Sequence, residues 1–344
     1  MSKSDSNASI LVIYTGGTIG MILDPIDGQL KPFNMNHLME TVPELRRFNF
    51  NIYTESFKVP IDSSDMSPLG WIELANIISQ NHNNYDGFVI LHGTDTMAYT
   101  ASALSFLLRG LAKPVILTGS QLPIGMIRTD GKENLITALE ISANNAIHGF
   151  NMCEVGIYFD SVLYRGNRTS KVSTGHFNAF SSPNYMALAN AGVEISFNQS
   201  ALLKDPKTGL LPFKGLNQNI AVLPVFPGIT EKVVRAICQT EGLEAVILRT
   251  YGSGNAQRDK ALLDPLKSFV DAGGLVLNVS QCAEGRVRQR KYQTGAALAD
   301  LGVISGQDST LEAAITKLMY CLGNYQKDKV ADKFKTSLCG EISV

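Results

Sequence analysis

The 344 residues are more than one ordinary hydrophobic core fills, so two domains are expected. A hydrophobic fraction of 44% and a charged fraction of 18% exclude a disordered chain. A formal net charge of -1 excludes the strong global field that draws in nucleic acid or an anionic membrane.

Residues 10–14 (ILVIY) are a short apolar run rich in β-formers, and Thr15-Gly16-Gly17 follows at once. This reads as a buried strand with a loop at its carboxyl end. A strand-like stretch over 50–59 leads to Asp62-Ser63-Ser64-Asp65-Met66, and a helix over 67–80 then starts at Ser67-Pro68. Residues 87–91 and 113–117 repeat the apolar strand, ending in His92-Gly93-Thr94-Asp95 and Thr118-Gly119-Ser120-Gln121. Between them, Met97, Ala101, Leu104 and Leu108 recur at helical spacing over 96–108, with Thr96 as the expected cap. Another helix is expected over 130–145, then a strand over 155–159 and a dense polar loop over 164–171. Strands that are apolar almost throughout are buried on both faces, which indicates a parallel sheet. Their alternation with helices gives the fold class: α/β, with an N-terminal doubly wound, mainly parallel sheet domain.

From 183 to 218 the chain turns polar and irregular and is read as the linker region. The expected domains are an N-terminal α/β catalytic domain over 1–200, a linker over 201–218 and a smaller C-terminal α/β domain over 219–344. In the last, strands are expected over 220–223, 245–248 and 274–279, and helices over 230–239, 258–272, 309–322 and 327–335.

The five cysteines, Cys153, Cys238, Cys282, Cys321 and Cys339, are odd in number, widely spaced and without a CxxC pair. They suggest neither a disulfide framework nor a zinc site, and fit a reducing compartment. Residues 1–9 are polar and lack the basic and apolar regions of a secretory signal. No apolar run approaches the ~18 residues of a membrane span. The expected location is the cytoplasm.

In open parallel sheets, ligands sit outside the carboxyl ends of the strands. Three such ends here carry hydroxyl, amide or acidic groups on Gly-rich loops: Thr15 to Thr18, Gly93 to Thr96 and Gly119 to Gln121. The first reads G-G-x-x-G, which is neither the dinucleotide fingerprint nor a phosphate loop. Adjacent glycines let backbone approach a ligand and leave Thr18 uncrowded. The hydroxyls of 62–66 suit a helix cap or a carboxylate held near a helix N-terminus. Taken singly, Lys171 is a solvated surface lysine, His92 a hydrogen-bonded histidine at a sheet end, and Trp71 helix-face packing.

Five segments in order, TGGTIG at 15–20, DSSDM at 62–66, HGTDTM at 92–97, GSQ at 119–121 and RGNRTSK at 165–171, together resemble the bacterial-type L-asparaginase family. The resemblance continues into RTYGSGN at 249–255, and HGTDTMAYTASALSF and LYRGNRTSK look like its cytoplasmic type I branch. It implies hydrolysis of L-asparagine to L-aspartate and ammonia by a threonine nucleophile, through an acyl-enzyme and without metal or organic cofactor. Matched position by position, the nucleophile would be Thr18, and Thr94, Asp95 and Lys171 would form the second catalytic cluster. Uncharged Lys171 would take a proton while Asp95 orients it, a relay similar in role to Ser–His–Asp. Ser63 and Ser64 would hold the substrate α-carboxylate and Asp95 its ammonium, with Gly17, Asp62, Gly93, Thr94 and Ser120 completing the substrate site. Backbone N–H groups of the Gly-rich loops would hold the oxyanion.

The resemblance further implies a homodimer or a dimer of dimers, hence a homotetramer. It also implies allosteric activation by asparagine through segments that contain Ser170, Arg249 and Cys282. One departure stands out: the family's lid-loop tyrosine has no counterpart in residues 24–32, where Gln29 or Leu30 takes the approximate place. L-Glutamine is the near alternative substrate, since one methylene is worth only ~1–3 kcal/mol of discrimination. An amidase subunit of a tRNA amidotransferase is disfavoured because only about nine residues precede the first strand. A silent asparagine sensor is disfavoured because Thr18, Thr94 and Lys171 are all retained.

Overall fold

The computed structural model describes residues 8–23, 30–32, 38–204, 207–290 and 293–343. The chain divides into two compact units, Met1–Pro212 and Phe213–Val344.

The first unit contains strands β1 (Ser9–Gly16), β2 (Met21–Leu23) and β3 (Leu30–Pro32), helix α1 (Leu38–Thr41), strand β4 (Asn51–Ile61), helix α2 (Pro68–Asn81) and strand β5 (Gly87–Leu91). Helix α3 (Met97–Leu107), strand β6 (Val115–Thr118), helix α4 (Gly131–His148) and strands β7 (Val155–Phe159) and β8 (Val162–Arg165) follow. Four short strands close it: β9 (Ser170–Lys171), β10 (Phe180–Ser181), β11 (Ala189–Ala191) and β12 (Ile195–Phe197). Eight strands form one sheet in the order β12-β11-β8-β7-β6-β5-β1-β4. The pairs from β4 to β7 are parallel, and β8, β11 and β12 add an antiparallel flank.

The apolar runs dictate this arrangement. Every residue of β5, β6 and β7 is buried, as a sheet covered on both faces requires. Ile10, Val12 and Tyr14 of β1 join Val89, Ile116 and the α4 residues Leu135, Ala138 and Leu139 in one core. Leu11 and Ile13 point the other way, by the two-residue strand period, and are also buried. Helix α3 is buried along ten of its eleven residues. The two-residue turn between β7 and β8 places Asp160 at φ 48° and Ser161 at φ 67°, the left-handed pair that a tight hairpin needs.

The strand order sets the position of the site. From β1 the chain crosses to β4 on one side and returns to β5 on the other, so winding reverses at β1. The carboxyl end of β1 is therefore the topological crevice.

The second unit is a four-stranded parallel sheet, β13 (Ile220–Pro224), β14 (Ala245–Thr250), β15 (Leu275–Ser280) and β16 (Ile304–Ser305), in that order. Its helices are α5 (Glu231–Cys238), α6 (Lys260–Asp271), α7 (Gln293–Asp300), α8 (Leu311–Asn324) and α9 (Lys327–Lys335).

Two differences from the sequence reading concern short elements. Residues 183–218 are not uniformly irregular, because β11 and β12 extend the large sheet. Three-residue strands interrupted by Asn and Gly are too short for alternation to register. Helix α7 and strand β16 were likewise not expected. The lid-loop reading at Gln29 lies outside the described residues; Leu30 opens β3, paired with β2 through Leu23.

Candidate active site

Parallel registers bring four loops to one edge of the sheet. Tyr14 of β1 pairs with Leu91 of β5, and Leu91 with Thr118 of β6. Gly16 pairs with Ile61 of β4. The segments that follow these residues, 62–66, 17–20, 92–96 and 119–121, thus emerge side by side.

Thr18 opens a single 3-10 turn, Thr18–Gly20, that starts from Gly17 at φ 88°. It is half-buried, and its hydroxyl bonds no described residue. The turn rests on Tyr14, whose buried phenol donates to the Gly20 carbonyl at 3.1 Å. Burial pushes the Tyr14 hydroxyl up to about 12, so it stays a protonated donor. Tyr14 was read as core; it is core, and it also supports the turn that carries Thr18.

The second cluster assembles across 77 residues of sequence. Lys171 Nζ lies 2.7 Å from Thr94 Oγ1 and 2.6 Å from Asp95 Oδ1. The lysine side chain is 15% exposed and the aspartate 61%, so the pair sits at the mouth of the crevice and not in the core. Thr94 Oγ1 in turn donates to Gln121 Oε1 at 3.4 Å, and Gln121 Nε2 donates to the His176 carbonyl at 3.0 Å. Lys171 gets there because residues 166–168 form a buried turn packed on α3, from which β9 returns toward the start of that helix. Arg165 fixes the base of this segment. Its guanidinium holds Glu154 at 2.6 Å and the Ala201 carbonyl at 2.7 Å, and the pair is almost wholly buried.

At the end of β4, Asp62 Oδ1 accepts from the Ser64 N–H at 2.8 Å and the Ser64 hydroxyl at 2.6 Å. Those two hydrogen bonds hold the Asp62 carboxyl below the usual range. Ser63 is buried, while Asp62 and Ser64 are exposed. Thr96 stands at the N-cap of α3, but its hydroxyl donates to the Ser63 carbonyl at 2.6 Å instead of capping the helix. It thereby ties the β4 loop to the β5 loop. Gly17 and Gly93 lie backbone to backbone between them. Ser120 is buried, and its hydroxyl donates to the Leu122 carbonyl at 2.5 Å.

Sequence reasoning missed Asp130. Its carboxylate accepts from the Gln121 and Leu122 N–H groups at 3.0–3.1 Å and from Asn134 at 3.3 Å, which shapes the 119–122 loop. Asp130 was read only as the start of a helix over 130–145, and nothing local announced the loop it holds.

Ser170 lies on β9 opposite Ser181. In the second unit, Arg249 is the penultimate residue of β14 and reaches the Gln281 carbonyl at 3.4 Å, and the neighbouring Cys282 is exposed. All five cysteines are free thiols. Among the described residues no group of three or more His, Cys, Asp and Glu side chains could hold a metal, and no helix is long and apolar enough to cross a membrane.

Residues 9–203 match the family model "Asparaginase, N-terminal", and residues 219–334 match "Glutaminase/Asparaginase C-terminal domain". L-asparaginase 1 of Escherichia coli (strain K12) is 42% identical over 342 residues, covering 97% of this chain and 98% of that protein. The crystal structure of L-asparaginase I from Vibrio cholerae is 40% identical, with TM-score 0.88 over 98% of this chain and 100% of that one. The thermostable L-asparaginase from Thermococcus kodakarensis is 31% identical, with TM-score 0.89 over 98% of this chain and 99% of that one. On sequence and architecture alike, the chain belongs to the asparaginase family.

Proposed function

We propose that the protein is an L-asparaginase in which Thr18 is the nucleophile and Thr94, Asp95 and Lys171 form a proton relay. The observation that carries this reading is the Lys171 side-chain nitrogen placed between Thr94 Oγ1 at 2.7 Å and Asp95 Oδ1 at 2.6 Å. Thr18 Oγ1 attacks the side-chain amide carbon of asparagine, and its proton passes to the relay. The tetrahedral oxyanion collapses, the C–N bond breaks, and ammonia leaves with a proton returned by the relay. Water then opens the acyl-threonine ester and releases aspartate. An uncharged Lys171 accepts a proton through Thr94 while still donating to Asp95, so the aspartate keeps it aimed in both charge states. Ser63 and Ser64 take the α-carboxylate beside the 63–65 turn, and exposed Asp95 takes the ammonium. Gly17, Gly93 and Ser120 shape the walls.

Cytoplasmic location, assembly into a homodimer or dimer of dimers, and control by asparagine through Ser170, Arg249 and Cys282 belong to this reading and rest on the resemblance. The deciding experiment follows ammonia release from L-asparagine and, separately, from L-glutamine, by the wild type and by Thr18→Ala. Release from asparagine that vanishes in the variant supports the reaction and the nucleophile. Undiminished release by Thr18→Ala, purified free of host enzyme, would overturn the mechanism.

A further inference from the structure

His92 is the only fully buried imidazole among the described residues, and the reaction above gives it no task. Its backbone N–H pairs with the Thr118 carbonyl at 2.9 Å, continuing the β5–β6 ladder by one residue. Its ring has polar contacts at both nitrogens. Nδ1 lies 2.7 Å from the Gly93 carbonyl, and Nε2 lies 2.9 Å from Thr100 Oγ1 on α3. Thr100 also accepts from the Trp71 indole on α2 at 3.0 Å.

One assignment of hydrogens satisfies the whole chain. A carbonyl only accepts, so Nδ1 carries the hydrogen; a bare Nδ1 would set its lone pair against oxygen at 2.7 Å. A second ring hydrogen would make a cation sealed from water, with no described carboxylate bonded to it. Nε2 is therefore an acceptor, and the Thr100 hydroxyl donates to it while accepting from Trp71. Burial agrees, pulling the His92 pKa down to about 4.

The bonded carbonyl belongs to the Gly93–Thr94 peptide. In a trans peptide the C=O and the following N–H point in opposite directions. Holding the Gly93 carbonyl toward the core thus turns the Thr94 N–H outward and sets the plane from which the Thr94 side chain leaves. We infer that His92, held as its Nδ1–H tautomer by Thr100 and Trp71, is a positioning residue that fixes the Gly93–Thr94 peptide and so aims Thr94 at the substrate amide. This rests on the reading of Thr94 as part of the relay. His92 itself touches no substrate and moves no proton.

Packing and positioning predict opposite orders for two variants. Phe in place of His92 keeps the buried volume but loses the donor; Asn leaves a small gap but offers an N–H to the Gly93 carbonyl. Positioning predicts that kcat of His92→Phe falls about 10–100-fold with KM little changed, since misplacing a catalytic group by ~1 Å costs up to about a hundredfold. His92→Asn would recover most of that loss. Should neither fold, Thr100→Val and Thr100→Ser make the same comparison one residue away, with only Ser retaining the hydroxyl. On the wild type, nitrogen NMR of 15N-histidine-labelled protein should show one ring fixed as Nδ1–H and not titrating from pH 5.5 to 8.5. A Phe variant as fast as the Asn variant, or titration or an Nε2–H tautomer of the ring whose signal is lost in His92→Phe, would each overturn the inference. Full turnover by Thr94→Val would sink the reading of the relay instead, while the NMR signature, which needs no turnover, still judges the tautomer.

Discussion

A Cβ added to Gly17 would stand 2.4 Å from the Gly93 nitrogen and 2.5 Å from its Cα, so these two glycines hold the β1 and β5 loops in backbone contact. Gly17 also sits at φ 88°, a conformation that L side chains rarely adopt. Strand register alone brings the loops near each other; the missing side chains let them touch. Thr18 follows Gly17 and Thr94 follows Gly93, so the contact joins the two loops that carry these threonines.

From this, Gly17→Ala is expected to act twice. Backbone strain costs about 1–3 kcal/mol, and the collision with Gly93 pushes the loops apart. Stability, read as a urea midpoint, should fall modestly, and kcat should fall far more than the unfolded fraction explains. A folded Gly17→Ala protein with unchanged kcat would show that the close approach does not serve the reaction.

Lys171 gives a sharper prediction, because charge and proton transfer can be separated. Lys171→Met keeps the stem and removes the amine. Lys171→Arg keeps a cation near Asp95 but cannot release a proton. Both are expected to lose turnover by a factor on the order of 10^3 or more, as members of such relays do. Since the relay acts as a unit, adding Thr94→Val to Lys171→Met should cost little further. Activity of Lys171→Arg near the wild-type level would mean that the lysine serves only as a fixed positive charge.

The pH dependence of stability carries a signature of His92. Its folded pKa of about 4 lies below the ordinary 6.5, so the unfolded chain binds the proton more readily between those values. Stability from this group is therefore complete above pH 6.5 and is lost as pH falls toward 4, by about 3 kcal/mol over the window. Asp62 is depressed too, and its contribution also disappears on acidification, but at pH values below the usual carboxylate range. Urea midpoints at pH 7, 5.5 and 4.5 should thus drop more steeply for the wild type than for His92→Asn. Parallel slopes would deny that His92 is buried uncharged.

Much of this site was legible before the fold. The apolar runs at 10–14, 87–91 and 155–159 stated their strands because burial on both faces leaves no polar alternation to blur them. Thr18, Thr94 and Lys171 were legible as motif positions. What placed Lys171 beside Thr94 was not, since a two-residue strand and a turn packed on α3 bridge 77 residues with no local signal. Thr96 was misread for a related reason: a threonine before a helix looks like a cap whether or not its hydroxyl turns to a neighbouring loop. Asp130 and the chain from Trp71 through Thr100 to His92 were illegible because each contact joins a helix to a loop or to another helix, and no spacing pattern within one element signals it.

The second unit holds one more test, remote from the chemistry. Lys317 on α8 and Glu341 near the chain end pair at 2.5 Å with side chains 1% and 0% exposed. Lys317 also donates to the Phe334 and Thr336 carbonyls, and Glu341 accepts from the N–H groups of Leu338 and Cys339. The pair therefore fastens residues 336–341 and the end of α9 onto α8. A buried pair with all its hydrogen bonds made adds little net stability, but removing one partner strands the other charge and costs about 3–5 kcal/mol. Lys317→Met and Glu341→Leu are each expected to destabilise by that order. The double variant should recover a large part, because it leaves no bare charge. Thermal unfolding of the three proteins measures this directly. Additive losses in the double variant would mean that the backbone hydrogen bonds, and not the charge pair, secure the chain end.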